Sequence, residues 1–164
     1  MIIKVAAFPF DVRPEQVETN LQQVLNAVAD CAESGVQLLV LPEKWTTSFL
    51  VEYSAEIRAD SQDALLQVHQ AAAAVDLIVV GSAPGGDGDK PANVAHVIGA
   101  AGNFRPYAKR MLFSPTGEGR QVERGMSQPV IVETAIGRIM PIICYDLRFP
   151  EICREALYQQ ADIL

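Results

Sequence analysis

The sequence predicts a layered α/β fold built on a mixed β-sheet. Two short, continuous apolar runs at residues 38–41 and 77–80 are typical of strands that are buried on both faces. Segments with apolar residues at helical spacing come before and between these runs. This alternation of strands and helices indicates helices packed against a sheet, and later hairpin signals add antiparallel strands to it.

The first quarter of the chain predicts a strand, a helix and a second strand. Residues 2–7 are β-rich and form the first strand. Pro14 and Glu15 are expected to open a helix that ends at Gly35. Its apolar face is formed by Val17, Leu21, Val24, Leu25, Val28 and Ala32. The strand at 38–41 follows.

The next part predicts a loop, a second helix and a third strand. Residues 43–60 are expected to be loop and irregular helix, and Ser61 to cap the second helix with its hydroxyl. The strand at 77–80 is expected to end at Gly81. The Gly- and Asp-rich residues 84–91 are expected to form a turn or loop.

The remaining chain predicts three more strands, at residues 93–98, 130–134 and 138–144. Gly102 and Asn103 favour a hairpin turn after the first of these. The other two are expected to pair as antiparallel strands. Pro150 is expected to open a last helix that runs to about residue 160, and residues 161–164 begin another apolar strand.

Composition limits the classes of partner. The net charge of −7 argues against nucleic acid and anionic membrane surfaces, because both attract basic proteins. No apolar run is long enough to span a membrane. Three unclustered cysteines favour a reducing compartment, and we expect a cytoplasmic protein. Without a CxxC or HExxH motif, no metal site is expected.

Three reactive side chains follow apolar segments, where ligands bind in layered α/β folds. Glu43 follows the strand at 38–41, Lys109 follows Tyr107, and Cys144 lies between a strand and a helix. A thiol on such a turn is exposed, and backbone N–H groups there can bind an oxyanion. Lys109 could supply positive charge and Glu43 a base. Taken alone, each residue could equally be a packed thiol or a solvated charge.

Three motifs together carry a family resemblance: Leu-Pro-Glu at 41–43, Tyr-Ala-Lys-Arg-Met-Leu-Phe at 107–113, and Ile-Cys-Tyr-Asp-Leu-Arg-Phe-Pro-Glu at 143–151. Their order and spacing resemble the nitrilase, or carbon–nitrogen hydrolase, superfamily, and the resemblance extends from Ile2 to Leu164. It implies that Cys144 is the nucleophile and Glu43 the general base and acid. Lys109 would stabilise the oxyanion, with the backbone N–H of Tyr145 sharing that task.

The resemblance also implies supporting residues. A second glutamate often supports the lysine in this family; Glu118 is the first candidate and Glu123 the second. Met111 stands where a histidine is common, which puts polar contacts near the lysine in doubt. Arg148 is a candidate to bind a substrate carboxylate, and a structural salt bridge is the alternative role for it.

The fold implied by the resemblance is a four-layer α-β-β-α sandwich of the nitrilase type. We expect residues 1–164 to form one carbon–nitrogen hydrolase domain that is incomplete at its C-terminus, and a chain ending there to be poorly folded or inactive. The chemistry requires no cofactor or metal. Family members commonly form homodimers or higher homo-oligomers.

The residues after Cys144 look most like the ω-amidase branch, which hydrolyses short dicarboxylic monoamides such as 2-oxoglutaramate to the carboxylate and ammonia. A nitrilase and an N-carbamoyl amine hydrolase remain alternatives for this family. Outside hydrolases, a non-catalytic carboxamide-binding relative and a redox-sensing thiol protein using Cys144 also remain open.

Overall fold

The computed structural model describes residues 2–86, 88–99 and 106–164. Its main sheet has five strands in chain order: β1 (Val5–Ala7), β2 (Leu38–Val40), β3 (Ile78–Gly85), β4 (Ala92–Ile98) and β5 (Tyr107–Ala108). The first three strands are parallel, and β4 and β5 are antiparallel to their neighbours. The predicted mixed sheet is therefore correct. The hairpin turn predicted at Gly102 and Asn103 lies outside the described residues.

Two helices, α1 (Val17–Glu33) and α2 (Ala55–Ala74), cover one face of this sheet. Leu39 and Val79, which are register partners on β2 and β3, point into the core below the helices. Helix residues with almost no exposed surface complete this core: Leu21, Val24, Val28, Val68 and Ala72. None of the helices in the described residues could span a bilayer.

A short hairpin covers the other face of the sheet. It consists of β6 (Val132–Thr134) and β7 (Gly137–Ile139), and it packs on Leu38, Ile78 and Val97. Neighbouring residues of β2 and β3 thus point into two different cores, which is why these strands are continuously apolar. Residues 161–164 form a single parallel bridge to this hairpin, through Ile163, rather than a full strand.

Helices α1 and α2 begin at other residues than those predicted. Helix α1 begins at Val17 rather than Pro14, because Glu15 has a left-handed φ of +60°. Helix α2 begins at Ala55, where the hydroxyl of Ser54 accepts a hydrogen bond from the amide of Ile57 at 3.1 Å. Ser61 lies fully buried inside that helix. Its hydroxyl is bonded to the side chain of Thr46, so a tertiary contact and not a cap explains this serine.

Two strand ends also differ from the prediction. Strand β3 continues past Gly81 and through Pro84 to Gly85, because β4 pairs with it over its whole antiparallel length. Strand β7 ends at Ile139, well before Cys144. Helix α3 (Pro150–Tyr158) begins at the predicted proline and ends about two residues early.

Candidate active site

Glu43 lies on a turn that follows β2, and hydrogen bonds to β3 and α1 hold this turn in place. The amides of Lys44 and Trp45 donate to the hydroxyl and carbonyl of Ser82, at 2.9 and 3.0 Å. The side-chain amide of Asn20, on α1, donates to the carbonyl of Thr46 at 2.8 Å. Trp45 is fully buried beneath this turn, where a Cβ at position 81 would come within 2.8 Å of its ring. The glycine in β3 therefore lets the turn approach the sheet.

The carboxylate of Glu43 is the meeting point of two donors. Its Oε1 accepts a hydrogen bond from Lys109 Nζ at 2.8 Å and another from Asn93 Nδ2 at 2.7 Å. Asn93 is fully buried on β4. This asparagine was not predicted from the sequence, because β4 also contains the polar His96 and no local pattern marks Asn93 as a partner of Glu43.

Lys109 is almost completely buried and directly follows β5. Its backbone is fixed by hydrogen bonds to Asn93 and Gly125, each 2.8 Å long. Its Nζ contacts both carboxylate oxygens of Glu118 at 3.0 Å, in addition to Glu43. Burial alone would lower the pKa of Lys109, but the hydrogen bonds and charges of the two glutamates outweigh it and raise the pKa. The lysine is therefore an ammonium at neutral pH.

Glu118, rather than Glu123, is the second carboxylate at Lys109. It is buried in a short 3₁₀ turn, and it also accepts a hydrogen bond from the amide of Phe113 at 2.7 Å. Glu123 is exposed, and its amide bonds to the carbonyl of Pro91. The structure thus brings three of the predicted side chains, Glu43, Lys109 and Glu118, into one chain of ion pairs.

Cys144 is exposed at the first residue of a 3₁₀ turn, Cys144–Arg148, that leads into α3. Its φ of +43° is left-handed and unusual for a residue other than glycine. Cys144 and Glu43 both line a cavity of about 260 Å³ beside Ser82 and Ala95. Burial and the nearby charge of Glu43 raise the pKa of this thiol, and the charge of Lys109 opposes that rise.

Asp146 ties the cysteine turn to the lysine segment. Its fully buried carboxylate accepts hydrogen bonds from the Tyr107 hydroxyl at 2.9 Å, the Met111 amide at 2.8 Å and the Ile143 amide at 3.1 Å. These donors lie two residues before Lys109, two residues after it and one before Cys144. Burial and the adjacent carboxylate raise the pKa of Tyr107, which stays protonated as a donor. No role was predicted for Asp146 from the sequence.

The two remaining candidates have different surroundings. The half-buried ring of Tyr145 lies between those of Phe113 and Phe149, with centroids 4.9 and 5.3 Å away. Arg148 is exposed. The described part of the chain contains three ion pairs, and Arg148 is in none of them.

Comparison with known proteins gives a family and a fold. The sequence profile of the family described as carbon-nitrogen hydrolase matches residues 4–164. The ω-amidase YafV of Escherichia coli is 32% identical over 117 residues, which are 71% of this chain and 45% of the relative. A chloroplastic ω-amidase of Arabidopsis thaliana is 27% identical over 81% of this chain and 40% of the relative. The chain thus spans less than half the length of these two relatives.

Among solved structures, an amidase from Nesterenkonia sp. superposes with a TM-score of 0.84 at 24% identity, over 98% of this chain and 63% of that one. A mutant of the same amidase has been solved in complex with butyramide. Another carries the acetamide moiety of fluoroacetamide on its active site cysteine. The superposition confirms the predicted nitrilase-type α/β fold, and the profile match over nearly every residue shows that this chain belongs to the carbon–nitrogen hydrolase family.

Proposed function

We propose that this protein hydrolyses a small carboxamide to a carboxylate and ammonia through a thioester on Cys144. The observation that carries the proposal is a carboxylate that shares one cavity with a thiol and is bonded to a buried ammonium. Glu43 bonds to Lys109 at 2.8 Å and shares the cavity with Cys144. A volume of about 260 Å³ suits a substrate of a few heavy atoms.

The first step is attack of the Cys144 sulfur on the amide carbon. Because the pKa of the thiol is raised, it enters the reaction protonated and needs a base. Glu43 takes the proton as the carbon–sulfur bond forms. The amide oxygen gains negative charge, which the Lys109 ammonium and the N–H of Tyr145 stabilise.

The second step expels ammonia. Glu43 returns the proton to the nitrogen, the carbon–nitrogen bond breaks, and a thioester remains. Water then attacks the thioester carbon while Glu43 accepts a proton from it, and the carbon–sulfur bond breaks. The products are the carboxylate and the regenerated thiol, so the reaction consumes only the amide and one water molecule.

Glu118 supports this sequence by keeping Lys109 charged and oriented. Both carboxylate oxygens of Glu118 accept hydrogen bonds from Lys109 Nζ. One of them also accepts a hydrogen bond from the amide of Phe113, which fixes the carboxylate. With Glu118 in place, Glu43 can become neutral during catalysis and Lys109 still has an anionic partner.

We infer that the substrate is a dicarboxylic monoamide of the 2-oxoglutaramate type. The ω-amidases of Escherichia coli and Arabidopsis thaliana support this class, and the butyramide complex of the Nesterenkonia amidase supports a short carboxamide. Nitriles and N-carbamoyl amines are the alternative substrates. A homodimer or higher homo-oligomer is expected, and size-exclusion chromatography of the full-length chain tests it.

The test is ammonia release by the full-length protein from 2-oxoglutaramate, butyramide, butyronitrile and an N-carbamoyl amine. The amides are expected to react, and Cys144→Ala is expected to abolish the reaction while Cys153→Ala preserves it. Ammonia release by Cys144→Ala would contradict the proposed nucleophile. Peroxide-dependent sulfenylation of Cys144 without any ammonia release would instead favour a redox sensor.

A further inference from the structure

Lys44 is a buried cation beside the site, and the proposed reaction gives it no role. It directly follows Glu43 and has no exposed surface. Among residues 2–86, 88–99 and 106–164, its Nζ has no hydrogen-bond acceptor and no carboxylate within 4.0 Å. The ammonium lies over the rings of Phe49 and Tyr53 instead, 4.8 and 5.3 Å from their centroids.

An arrangement of this kind is costly for a purely structural residue. Removing an ammonium from water without an anion costs more free energy than two aromatic faces return. A methionine would fill the same space between Phe49 and Tyr53 and would make favourable contacts with both rings. The positive charge therefore indicates that an anion binds there.

The position of Lys44 connects it with the candidate active site. Its amide is bonded to the hydroxyl of Ser82, and Ser82 lines the cavity shared by Glu43 and Cys144. On the other side, Tyr53 packs against Val122 and Leu112, which belong to the segment that carries Glu118. The ammonium thus lies between the Glu43 turn and the Glu118 segment.

Access to the ammonium depends on Phe49. This ring is 56% exposed, so it is the solvent-facing one of the two rings over the ammonium, and the site proposed below requires that it turn aside. Tyr53, by contrast, is buried and bonded through its hydroxyl to the backbone of Leu50 and Ser48. One wall of the Lys44 site is therefore buried and the other faces the solvent.

Compared with Lys109 and Arg148, Lys44 is the cation better suited to an incoming carboxylate. Lys109 is already neutralised by Glu43 and Glu118. Arg148 is exposed to water, where a single ion pair contributes little to affinity. We propose that Lys44 binds the carboxylate of the substrate and so selects ω-amides of dicarboxylic acids over neutral amides. This inference rests on the proposed amide hydrolysis.

The experiment compares Lys44→Met with Arg148→Met in the full-length protein, using 2-oxoglutaramate and butyramide. Loss of a charge-assisted bond is expected to lower kcat/KM for 2-oxoglutaramate about 10- to 100-fold in Lys44→Met, mainly through KM. For butyramide, kcat/KM is expected to stay within about twofold, since the apolar wall is kept. Arg148→Met is expected to change kcat/KM by no more than about threefold for either substrate.

Equal losses on both substrates, or no loss on 2-oxoglutaramate, overturn the inference and leave amide hydrolysis intact. We expect the melting temperature of Lys44→Met to be unchanged or higher, because the substitution removes an unpaired buried charge. If the charge had a structural role, the melting temperature would fall.

A binding measurement separates this inference from the proposed reaction. Glutarate carries two carboxylates and no amide, so its binding, followed by calorimetry, requires no turnover. Its affinity is expected to fall at least about tenfold in Lys44→Met and to persist in Arg148→Met. Equal glutarate affinity in the wild type and Lys44→Met contradicts the Lys44 site, even if every amide is hydrolysed. Glutarate binding without amide hydrolysis contradicts only the proposed reaction.

Discussion

Charge balance at Lys109 determines the state of the neighbouring thiol. One buried ammonium is bonded to two carboxylates, Glu43 and Glu118, and the thiol of Cys144 lies beside the first of these. Burial and the excess negative charge together raise the pKa of Cys144. In the proposed reaction the thiol is therefore deprotonated by Glu43 during attack and is not a stored thiolate.

A first prediction concerns Glu118 and its exposed neighbour Glu123. Glu118→Gln keeps the shape of the side chain but removes one of the two charges that hold Lys109. We expect kcat for amide hydrolysis to fall about 10- to 100-fold, the range for loss of a charge-assisted hydrogen bond. Glu123→Gln is the matched control and should retain wild-type kcat. Equal rates for both variants would contradict a supporting role for Glu118.

A second prediction follows from the causes of the raised thiol pKa. Alkylation of Cys144 by iodoacetamide reports the thiolate, and its pH midpoint should lie above that of an ordinary cysteine. Glu43→Gln removes an anion that disfavours the thiolate, so the midpoint should move to lower pH while hydrolysis is lost. A midpoint that stays in place or rises in Glu43→Gln would show that Glu43 does not act on the thiol.

At the scale of secondary structure, Asp146 joins two elements that carry different parts of the site. Its carboxylate receives bonds from β5, from the segment after Lys109 and from the residue before Cys144. Cys144, whose backbone is left-handed, directly follows the Ile143 amide that bonds to Asp146. A single buried carboxylate thus fixes the separation between ammonium and thiol, which the motifs by themselves do not reveal.

Asp146→Asn and Tyr107→Phe test this connection. Tyr107→Phe removes one donor and should lower the free energy of unfolding by about 1 kcal/mol. Asp146→Asn turns an amide N–H₂ towards at least one backbone N–H, which cannot accept a hydrogen bond, and should cost about 1–3 kcal/mol and most of the activity. Urea unfolding and ammonia release measure the two effects. Wild-type activity in Asp146→Asn would show that the link does not position Cys144.

The glycine that contacts β5 provides a further test. A Cβ at Gly125 would lie 2.1 Å from the carbonyl oxygen of Ala108. The amide of Gly125 donates a hydrogen bond to the carbonyl of Lys109. Gly125→Ala should therefore displace the lysine segment and cost about 1–3 kcal/mol of stability. At Gly119 a Cβ would meet its nearest neighbour at 3.7 Å, so Gly119→Ala is the matched control. Similar urea midpoints for the two variants would contradict this prediction.

Sequence patterns predicted most elements but not all of their ends. Apolar spacing identified α1, α2 and the buried strands, because their periodicity reflects which faces are covered. The start of α2 was misplaced because Ser61 and Ser54 are equally good caps by type. Only the contact with Thr46 shows that Ser61 serves tertiary packing. Pro84 was assigned to a loop because residues 84–91 are rich in Gly and Asp, but in β3 it pairs with Asn93.

For the whole molecule, the order of strands explains why two of the three distant motifs meet. Strands β2 to β5 lie side by side in chain order, so Glu43 after β2 and Lys109 after β5 reach each other across β3 and β4. The motifs predicted the residue types of the site. Ser82, Asn93 and Asn20, which orient Glu43 or its turn, could not be predicted, because they act through contacts between elements that have no local pattern.

The central claim is that Cys144 carries the acyl group of an amide while Glu43 and Lys109 act on the same atoms. Acid-quenched intact mass spectrometry of the full-length protein during turnover of butyramide tests it most directly. We expect a transient mass increase that corresponds to one butyryl group replacing one hydrogen, located by peptide mapping on Cys144 and absent from Cys144→Ala. Ammonia release without an acyl group on Cys144, or with the group on another residue, would contradict the account.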